Sequence, residues 1–344
     1  MPRVRVPRWV FAVVAAAVAV SALDGVLYLA LRGGPSPARA DPLGQPSVVA
    51  VVDPGKREVV DLVRVGHSPT AIVAGYGGVW VLNKDDGTVT HVDAKSRRVV
   101  HTLSLDATAN DLAVGEGGVW FAGRPLRAAT QPLEIAALER LDPATDAVDR
   151  HFRTRTGAAV LAVGGGAVWT TGYLGGHVRG AARSDATTGS MRRVDIGIYG
   201  DLVTAGDGSV YWIASIANRV ARVSMRSGLL TASLPLATDA SLAAGIIPPN
   251  PTGAVVGAHA LWISTTGGML YRIAPDLHAI LARVRVCRNV LAVAYGEGGV
   301  WLACGNATVM RVDPRTNRAD PPIGVGRLPR GIAAGGGDVW VTLD

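Results

Sequence analysis

The stretch AIVAGYGGVWVLNKDDGTVTHVDAKSRRVVHTLSL, residues 71–105, contains the pattern that decides the fold. A short apolar segment ends in glycines, a valine and a tryptophan follow, and two further β-prone segments complete the unit. The unit recurs along the chain, with its key aromatic at Trp80, Trp120, Trp169, Tyr211, Trp262, Trp301 and Trp340. A unit of roughly forty residues cannot bury its apolar faces alone, so we expect neighbouring copies to stack against one another.

Each copy of the repeat predicts four short strands. In the first copy these are residues 71–74, 79–82, 89–92 and 99–103, rich in Val and Thr and separated by turn residues. A tight turn is predicted between the third and fourth strands, and it begins at Asp93, Asp142, Asp185, Ser224 and Asp313 in five of the copies. Asp favours such a turn because its side chain can bond back to the backbone.

The two ends of the repeat region are complementary halves of a unit. The turn sequence DPGK at residues 53–56 has no first half before it, and residues 331–344 form a first half with no second. We therefore predict that the C-terminal strands pair with strands at 48–52 and 59–63, which would remove two open sheet edges. The predicted fold is an all-β, seven-bladed β-propeller over residues 47–344, closed by a composite blade.

The amino terminus carries a basic and then an apolar segment. Residues 9–31 contain one charge, Asp24, and are long enough to span a bilayer, while the preceding arginines favour a cytoplasmic amino end. Residues 1–32 are thus predicted as a membrane anchor, with a cleaved signal peptide as the alternative. Residues 33–46 read as a Gly/Pro-rich linker. Either interpretation places the propeller outside the cytoplasm: the anchor tethers it to the cell membrane, and the cleaved signal leads to a secreted protein.

The net charge of +7 does not indicate a nucleic-acid partner. Five of the 34 Lys and Arg residues lie in the first forty positions, where Asp24 is the only acid. The remaining chain is close to neutral and shows no broad basic footprint.

The repeats resemble those of a known group. The segments RVDPRTNRADPPIGVG (residues 311–326) and GRLPRGIAAGGGDVWVT (residues 326–342) are similar to extracytoplasmic bacterial propellers of the YVTN and virginiamycin-B-lyase-like kind. The resemblance spans about residues 47–344. It implies the propeller fold, and its lyase branch implies a histidine and a carboxylate acting with a divalent metal. No stretch of this chain matches that catalytic site, so the resemblance assigns no catalytic residue.

The face around the channel mouth is the expected ligand site, because the fourth-to-first and second-to-third strand connections emerge there. The candidate ligand-binding residues on this face are His67, Asn110, Tyr199, Asp201, Arg288, Arg327 and Arg330. The three arginines and His67 belong to blades six, seven and one, which are adjacent in a closed ring. Arginine forks suit planar anions, so this sector predicts an anionic small ligand; solvated surface arginines are the alternative.

No cofactor or metal is predicted under this interpretation. Asp111, Asp201 and Asn110 carry oxygen donors of the calcium-binding type, but their blade positions do not force them together. The seven histidines include no pair at zinc-ligand spacing. An insertion at residues 121–138 reaches the same face, either as a specificity loop or as a passive excursion over blade two.

Two functions remain open from the sequence. The first is a non-enzymatic propeller that binds a protein, glycan or anionic small ligand outside the cytoplasm. The second is a metal-dependent lyase or hydrolase resembling virginiamycin B lyase. It would need a histidine and a carboxylate near the channel mouth, and His67 with Asp111 or His177 with Asp201 are the candidate pairs.

The only two cysteines are predicted to form a disulfide. Cys287 lies before the sixth unit's first strand, and Cys304 ends its second strand, so both should return to the same face. Neighbouring strand ends can satisfy the Cα separation that a disulfide requires. Two independent thiols are the alternative.

Overall fold

The computed structural model describes residues 47–343 apart from residues 106, 126–135, 155–156, 175–177, 199, 216 and 237–249. In this described part, 29 strands form seven antiparallel sheets arranged as the blades of a propeller. The seven-bladed, all-β architecture predicted from the repeat is confirmed.

Successive groups of strands along the chain form successive blades around the ring. The closing blade, blade 7, receives β1 (Val48–Asp53) and β2 (Glu58–Arg64). Blade 1 contains β3 (Pro69–Gly75), β4 (Gly78–Asn83), β5 (Thr88–Asp93) and β6 (Arg98–Ser104); blade 2 contains β7 (Ala107–Gly115), β8 (Gly118–Pro125), β9 (Ala136–Asp142) and β10 (Ala147–Thr154). Blade 3 contains β11 (Gly157–Val163), β12 (Ala167–Leu174), β13 (Val178–Asp185) and β14 (Met191–Val194). Blade 4 contains β15 (Leu202–Gly206), β16 (Ser209–Ala214), β17 (Arg219–Ser224) and β18 (Leu230–Pro235). Blade 5 contains β19 (Pro251–Gly257), β20 (Ala260–Thr265), β21 (Met269–Ile273) and β22 (Ile280–Arg285). Blade 6 contains β23 (Val290–Gly296), β24 (Gly299–Cys304), β25 (Thr308–Asp313), β26 (Arg318–Ala319) and β27 (Ile323–Gly324), and blade 7 ends with β28 (Pro329–Gly335) and β29 (Asp338–Leu343).

The closing blade is composite, as predicted. Its strand order is β2-β1-β29-β28, and β1 pairs antiparallel with the C-terminal strand, Val51 lying opposite Trp340. Because β1 is a central strand of its sheet, Val49 to Val52 are fully buried. The two ends of the described chain therefore share one hydrogen-bonded sheet, and that sheet closes the ring.

The glycines before each tryptophan have two structural roles. In five blades the indole N–H donates to the carbonyl of the glycine five residues earlier, as in Trp120 to Gly115 and Trp340 to Gly335, both at 3.0 Å. A two-residue turn joins the first and second strands of each blade. Both of its residues have positive φ, as Tyr76 (50°) and Gly77 (78°) do in blade 1. Such turns match the twist of a β-hairpin, and glycine adopts them without a steric cost.

Aspartates organise the turns between the third and fourth strands. Oδ1 of Asp53 accepts hydrogen bonds from the N–H groups of Gly55 (2.8 Å) and Lys56 (2.9 Å), and Asp313 accepts one from Arg315 in the same way. These backbone hydrogen bonds hold the pKa of both carboxyls below the usual value. The repeated Asp therefore specifies the turn, as the sequence predicted.

Blade 6 departs from the repeat at its outer edge. Its fourth strand is split into β26 and β27, which pair with opposite ends of β25. Pro321 and Pro322 fall between the two pieces, and proline cannot donate to a sheet ladder. Asp320 at the break instead binds Arg311 of its own blade and Arg57 of blade 7.

Among residues 47–343, the described positions include no helix long and apolar enough to cross a membrane. The predicted anchor or signal at residues 1–32 and the linker at 33–46 lie outside the described residues.

Candidate functional site

The first strand of every blade lines a central channel. The channel encloses a cavity of about 460 Å³, with walls contributed by β3, β7, β11, β15, β19, β23 and β28. Most of the lining residues are Val, Leu, Ile or Ala. The polar exceptions are Asp111, Thr204, Thr252 and Tyr295.

The two predicted sets of connections do emerge at one end of the channel, called here the mouth. At the beginning of β3, Pro69 pairs with Asn83 at the end of β4, so the loops before β3 and after β4 lie side by side. The N–H of Lys84 donates to the carbonyl of Ser68 across these loops (3.0 Å). The mouth is thus built from fourth-to-first and second-to-third connections.

A register shift recurs where the first strands begin at the mouth. It occurs in six of the described first strands, at Thr70, Asn110, Ala159, Thr252, Leu291 and Arg330–Gly331. A bulge of this kind redirects the side chain of the extra residue. Asn110 and Arg330 are both exposed at these positions. The bulges therefore vary the chemistry of the rim without altering the blades beneath it.

The candidate arginines lie on neighbouring blades at the mouth. Arg288 precedes β23 and is exposed, and Arg330 lies in β28, which packs against both β23 and β3. Arg327 is half-buried and donates a hydrogen bond from Nη2 to the carbonyl of Leu343 (3.2 Å). The adjacency of blades 6, 7 and 1 predicted from the repeat is thus present, and part of the hydrogen-bonding capacity of Arg327 serves the closing blade.

His67 pairs with Asp86, and not with Asp111 as the sequence hypothesis had it. Nδ1 of His67 lies 3.0 Å from Oδ1 of Asp86, and the backbone N–H of His67 donates to Oδ2 (2.7 Å). This backbone hydrogen bond, with the ring contact, lowers the pKa of Asp86. The His67 side chain is 80% exposed, so the pair lies at the surface of the mouth.

Asp111 lies at the channel wall between blades 2 and 3. Its Oδ1 accepts the N–H of Leu112 (2.9 Å), and its Oδ2 accepts the N–H of Leu161 on β11 (3.0 Å). Burial raises the pKa of this carboxyl to about 6, although the two hydrogen bonds act in the opposite direction. Asp111 thus joins two blades and remains a carboxyl with an unusually high pKa.

Among the described residues, Asp201 has hydrogen-bond partners different from those of Asp111, and Asn110 lies at the rim. Oδ2 of Asp201 accepts the N–H of Ser215 (2.9 Å) within blade 4, whereas Asn110 belongs to the rim of blade 2. Tyr199, His177 and the centre of the 121–138 insertion, residues 126–135, lie outside the described residues. In the part of the chain that is described, no three His, Cys, Asp or Glu side chains are grouped as a metal ion would require.

The predicted disulfide is present. Cys287 and Cys304 are bonded, with their Cα atoms 6.0 Å apart. The bridge ties the loop that carries Arg288 to the end of β24. The next residue, Asn289, is fixed by a hydrogen bond from its N–H to the carbonyl of Thr266 in blade 5 (3.1 Å). The backbone beside Arg288 is thereby held at the mouth.

Sequence reasoning missed the basic side chain that accompanies the key aromatic. The third-strand residue opposite the aromatic is basic in six blades: His91, Arg140, Arg183, Arg222, Arg272 and Arg311. His91 stacks on Trp80 with ring centroids 4.6 Å apart and binds Asp146 of blade 2, while Arg272 covers Trp262 and binds Asn317 of blade 6. A basic residue ten or eleven positions after the aromatic was the available signal in four of these blades. The contacts of His91 and Arg272 link neighbouring blades, so these two side chains are structural.

No protein-family model matches the sequence, and neither does any curated protein. The fold is similar to 1548 chains of solved structures, so the architecture by itself does not select a function. The β-propeller domain of Myceliophteria thermophila Cps50 (Swd1) has a TM-score of 0.61 at 11% identity, with 83% of this chain and 98% of that chain covered. Apo AztD from Citrobacter koseri has a TM-score of 0.59 at 10% identity, with coverages of 86% and 99%. At these identities the likeness shows the fold alone.

Proposed function

We propose that this protein is a non-enzymatic binding propeller that acts outside the cytoplasm, attached to the membrane or exported, and recognises an anionic ligand at the channel mouth. The observation that carries the proposal is the position of Arg288 and Arg330. Both are exposed on adjacent blades at the mouth of the closed ring. The ligand is a carboxylate- or phosphate-bearing small molecule, glycan or protein group, because guanidinium forks bind such planar anions in two-point contacts.

The extracytoplasmic location is supported by the cysteine pair. A bridge between Cys287 and Cys304 persists in oxidising compartments and is rare in the cytosol. Residues 9–31 add a segment whose composition suits a membrane anchor or signal. Fractionation of cells that express the full-length chain tests this directly. Recovery of a reduced, unprocessed protein in the cytosol would contradict the proposed location.

The binding proposal is tested by thermal shift with inorganic phosphate and with citrate as probes. We expect both to raise the melting temperature of the wild-type protein, and Arg288→Ala with Arg330→Ala to abolish that increase. Arg327 is left intact because it supports the closing blade through Leu343. Arg226→Ala, in the exposed turn after β17, is the matched control for lost charge. If phosphate and citrate raise the melting temperatures of the wild type and the double variant equally, these arginines are not the binding site.

A second candidate function is favoured by the His67–Asp86 pair. A carboxylate that binds Nδ1 orients an imidazole and stabilises its cation, and this arrangement suits a general base. The pair is compatible with the resemblance to virginiamycin-B-lyase-like propellers. The described residues provide no cluster for the divalent metal that this resemblance implies, so we derive no metal-dependent step.

The enzymatic alternative can be tested with virginiamycin B as substrate and Mg²⁺ in the buffer, followed by liquid chromatography and mass spectrometry. Elimination would change the retention time without changing the mass, whereas hydrolysis would add one water. Activity that is present in wild type and lost in His67→Ala would establish the alternative. An unchanged substrate would exclude virginiamycin-type activity under these conditions.

A further inference from the structure

Asp111 breaks the repeat at the wall of the channel. In the ladder between first and second strands it lies opposite Ala122, two residues after the key aromatic of blade 2. The residues at the same ladder position in five other blades are Ala71, Val160, Leu202, Gly253 and Ala292. The five are apolar or lack a side chain, so the carboxyl of blade 2 is a specific departure from the unit.

The carboxyl of Asp111 faces the channel. It accepts the N–H of Leu161 in β11, which is the innermost strand of blade 3 and pairs only with β12. An N–H on the side of β11 away from β12 points to the channel, so the carboxyl that receives it lies along the wall of the cavity. Asp111 lines that cavity together with mostly aliphatic residues.

No positive charge compensates this carboxyl within the described part of the chain. Its environment consists of burial and two backbone hydrogen bonds, and no coulombic partner contributes to its ionisation. Each carboxylate oxygen can accept a further hydrogen bond. Asp111 is half-buried, and a carboxylate that is partly removed from water without a compensating charge is stabilised when a cation joins it.

We propose that the channel binds an organic cation, an ammonium group on a small aliphatic body, through Asp111. The cavity of about 460 Å³ falls in the size range of small-molecule sites, roughly 300–1,000 Å³. One carboxylate supplies the charge and hydrogen-bond acceptors, and the aliphatic wall contacts the body of the ligand. A metal ion would need several ligating groups, and the described residues provide no such cluster. This site lies inside the channel, and it is independent of the arginines at the mouth.

The test uses the full-length protein with n-butylammonium as probe and n-butanol as its neutral counterpart, measured by saturation-transfer NMR at pH 7.5. We expect n-butylammonium to bind the wild-type protein more tightly than n-butanol. We expect Asp111→Asn to lower the binding affinity for n-butylammonium by at least about tenfold. A loss of that size corresponds to one modest ionic contact. The affinity for n-butanol should be the same in both proteins. Asp207→Asn, in an exposed turn at the opposite end of blade 4, is the matched control and should bind like wild type.

A measurement without any variant covers the case in which Asp111→Asn does not fold. The alkylammonium stays charged between pH 5 and 7.5, whereas Asp111 gains a proton over this range, so its affinity for wild type should fall severalfold at pH 5. Equal n-butylammonium affinities in wild type and Asp111→Asn would overturn the proposal, as would an affinity independent of pH. Displacement of n-butylammonium by micromolar Zn²⁺, Mg²⁺ or Ca²⁺ would also overturn it, in favour of a metal site. Phosphate protection at the mouth should be unaffected by Asp111→Asn, so the two proposals fail separately.

Discussion

At the scale of single residues, Asp111 makes the stability of the protein depend on pH. Its folded-state pKa of about 6 lies above the unfolded value of 3.8, so the folded state holds the proton longer. This group therefore lowers the free energy of unfolding as the pH rises from about 4 to about 6, and adds no further change above that. The effect is at most roughly 3 kcal/mol, because one pKa unit corresponds to about 1.4 kcal/mol.

The measurement is urea unfolding of wild type and Asp111→Asn at pH 4, 5, 6 and 7. Other carboxyls such as Asp53 and Asp313 have lowered pKa values and give pH dependence of the opposite sign. They are common to both proteins, so the difference between wild type and variant isolates Asp111. A difference that stays constant between pH 4 and 7 would contradict the assigned pKa.

The sequence predicted residues by their position in the repeat, and it failed where a contact depends on loop conformation. The key aromatics could be assigned to the core because six of the seven repeat positions carry Trp and the seventh carries Tyr211, and all seven are fully buried. The partner of His67 could not be found, since Asp86 lies 19 residues away and meets it only where two loops run side by side. Gly66 allows this approach, because a Cβ there would lie 2.6 Å from Oδ2 of Asp86. Nothing in the repeat specifies that geometry.

At the scale of strands and loops, the disulfide holds the loop before β23. The bridged residues are 17 apart, and a closed loop of that size stabilises by roughly 3 kcal/mol in the chain-entropy model. We expect the native protein to be unreactive to thiol reagents, and Cys287→Ser with Cys304→Ser to lower the melting temperature by several degrees. Two titratable thiols in the unreduced exported protein would contradict the bridge.

The strands were predictable to within one or two residues because the alternation of turn and β-prone residues recurs. In blade 1 the four predicted strands fall inside β3, β4, β5 and β6. The bulges at the mouth were not predictable, since one extra residue in a first strand leaves no mark in composition. The split of the outer strand in blade 6 could have been predicted from Pro321 and Pro322, because proline interrupts a strand. The regular repeat instead favoured one continuous strand there.

At the scale of the whole molecule, the closing blade is fastened to blade 1 by an ion pair. Arg97 binds Asp338 in a two-point contact of 2.9 and 3.0 Å, and the Asp338 side chain is 7% exposed. We expect Arg97→Ala to cost about 1–3 kcal/mol in urea unfolding, because it leaves a buried carboxylate unpaired. Lys56→Ala, which removes the exposed pair with Asp53, is the control and should cost about 0–1 kcal/mol. Equal effects would mean that the closing contact is no stronger than a surface pair.

The ring also depends on the strands that precede the first complete unit. Deletion of residues 47–66 removes β1 and β2 and exposes one edge of β29. We expect loss of cooperative unfolding, because residues of β1 belong to both of the core clusters around Trp301 of blade 6 and Trp340 of blade 7, and the second cluster also holds Val79 and Val81 of blade 1. A truncated protein with a full, cooperative thermal transition would show that closure contributes little.

The mouth and the channel exist only in a closed ring, and the ring closes because residues near position 50 and the C-terminal strand form one sheet. Ala50 and Val341 are opposite each other in β1 and β29, and both are fully buried. The most direct measurement is peptide mapping of Ala50→Cys with Val341→Cys after oxidative folding. We expect a disulfide between positions 50 and 341, and none between positions 50 and 81 in Ala50→Cys with Val81→Cys. A 50–81 bridge, or free thiols at 50 and 341 in the folded protein, would contradict it.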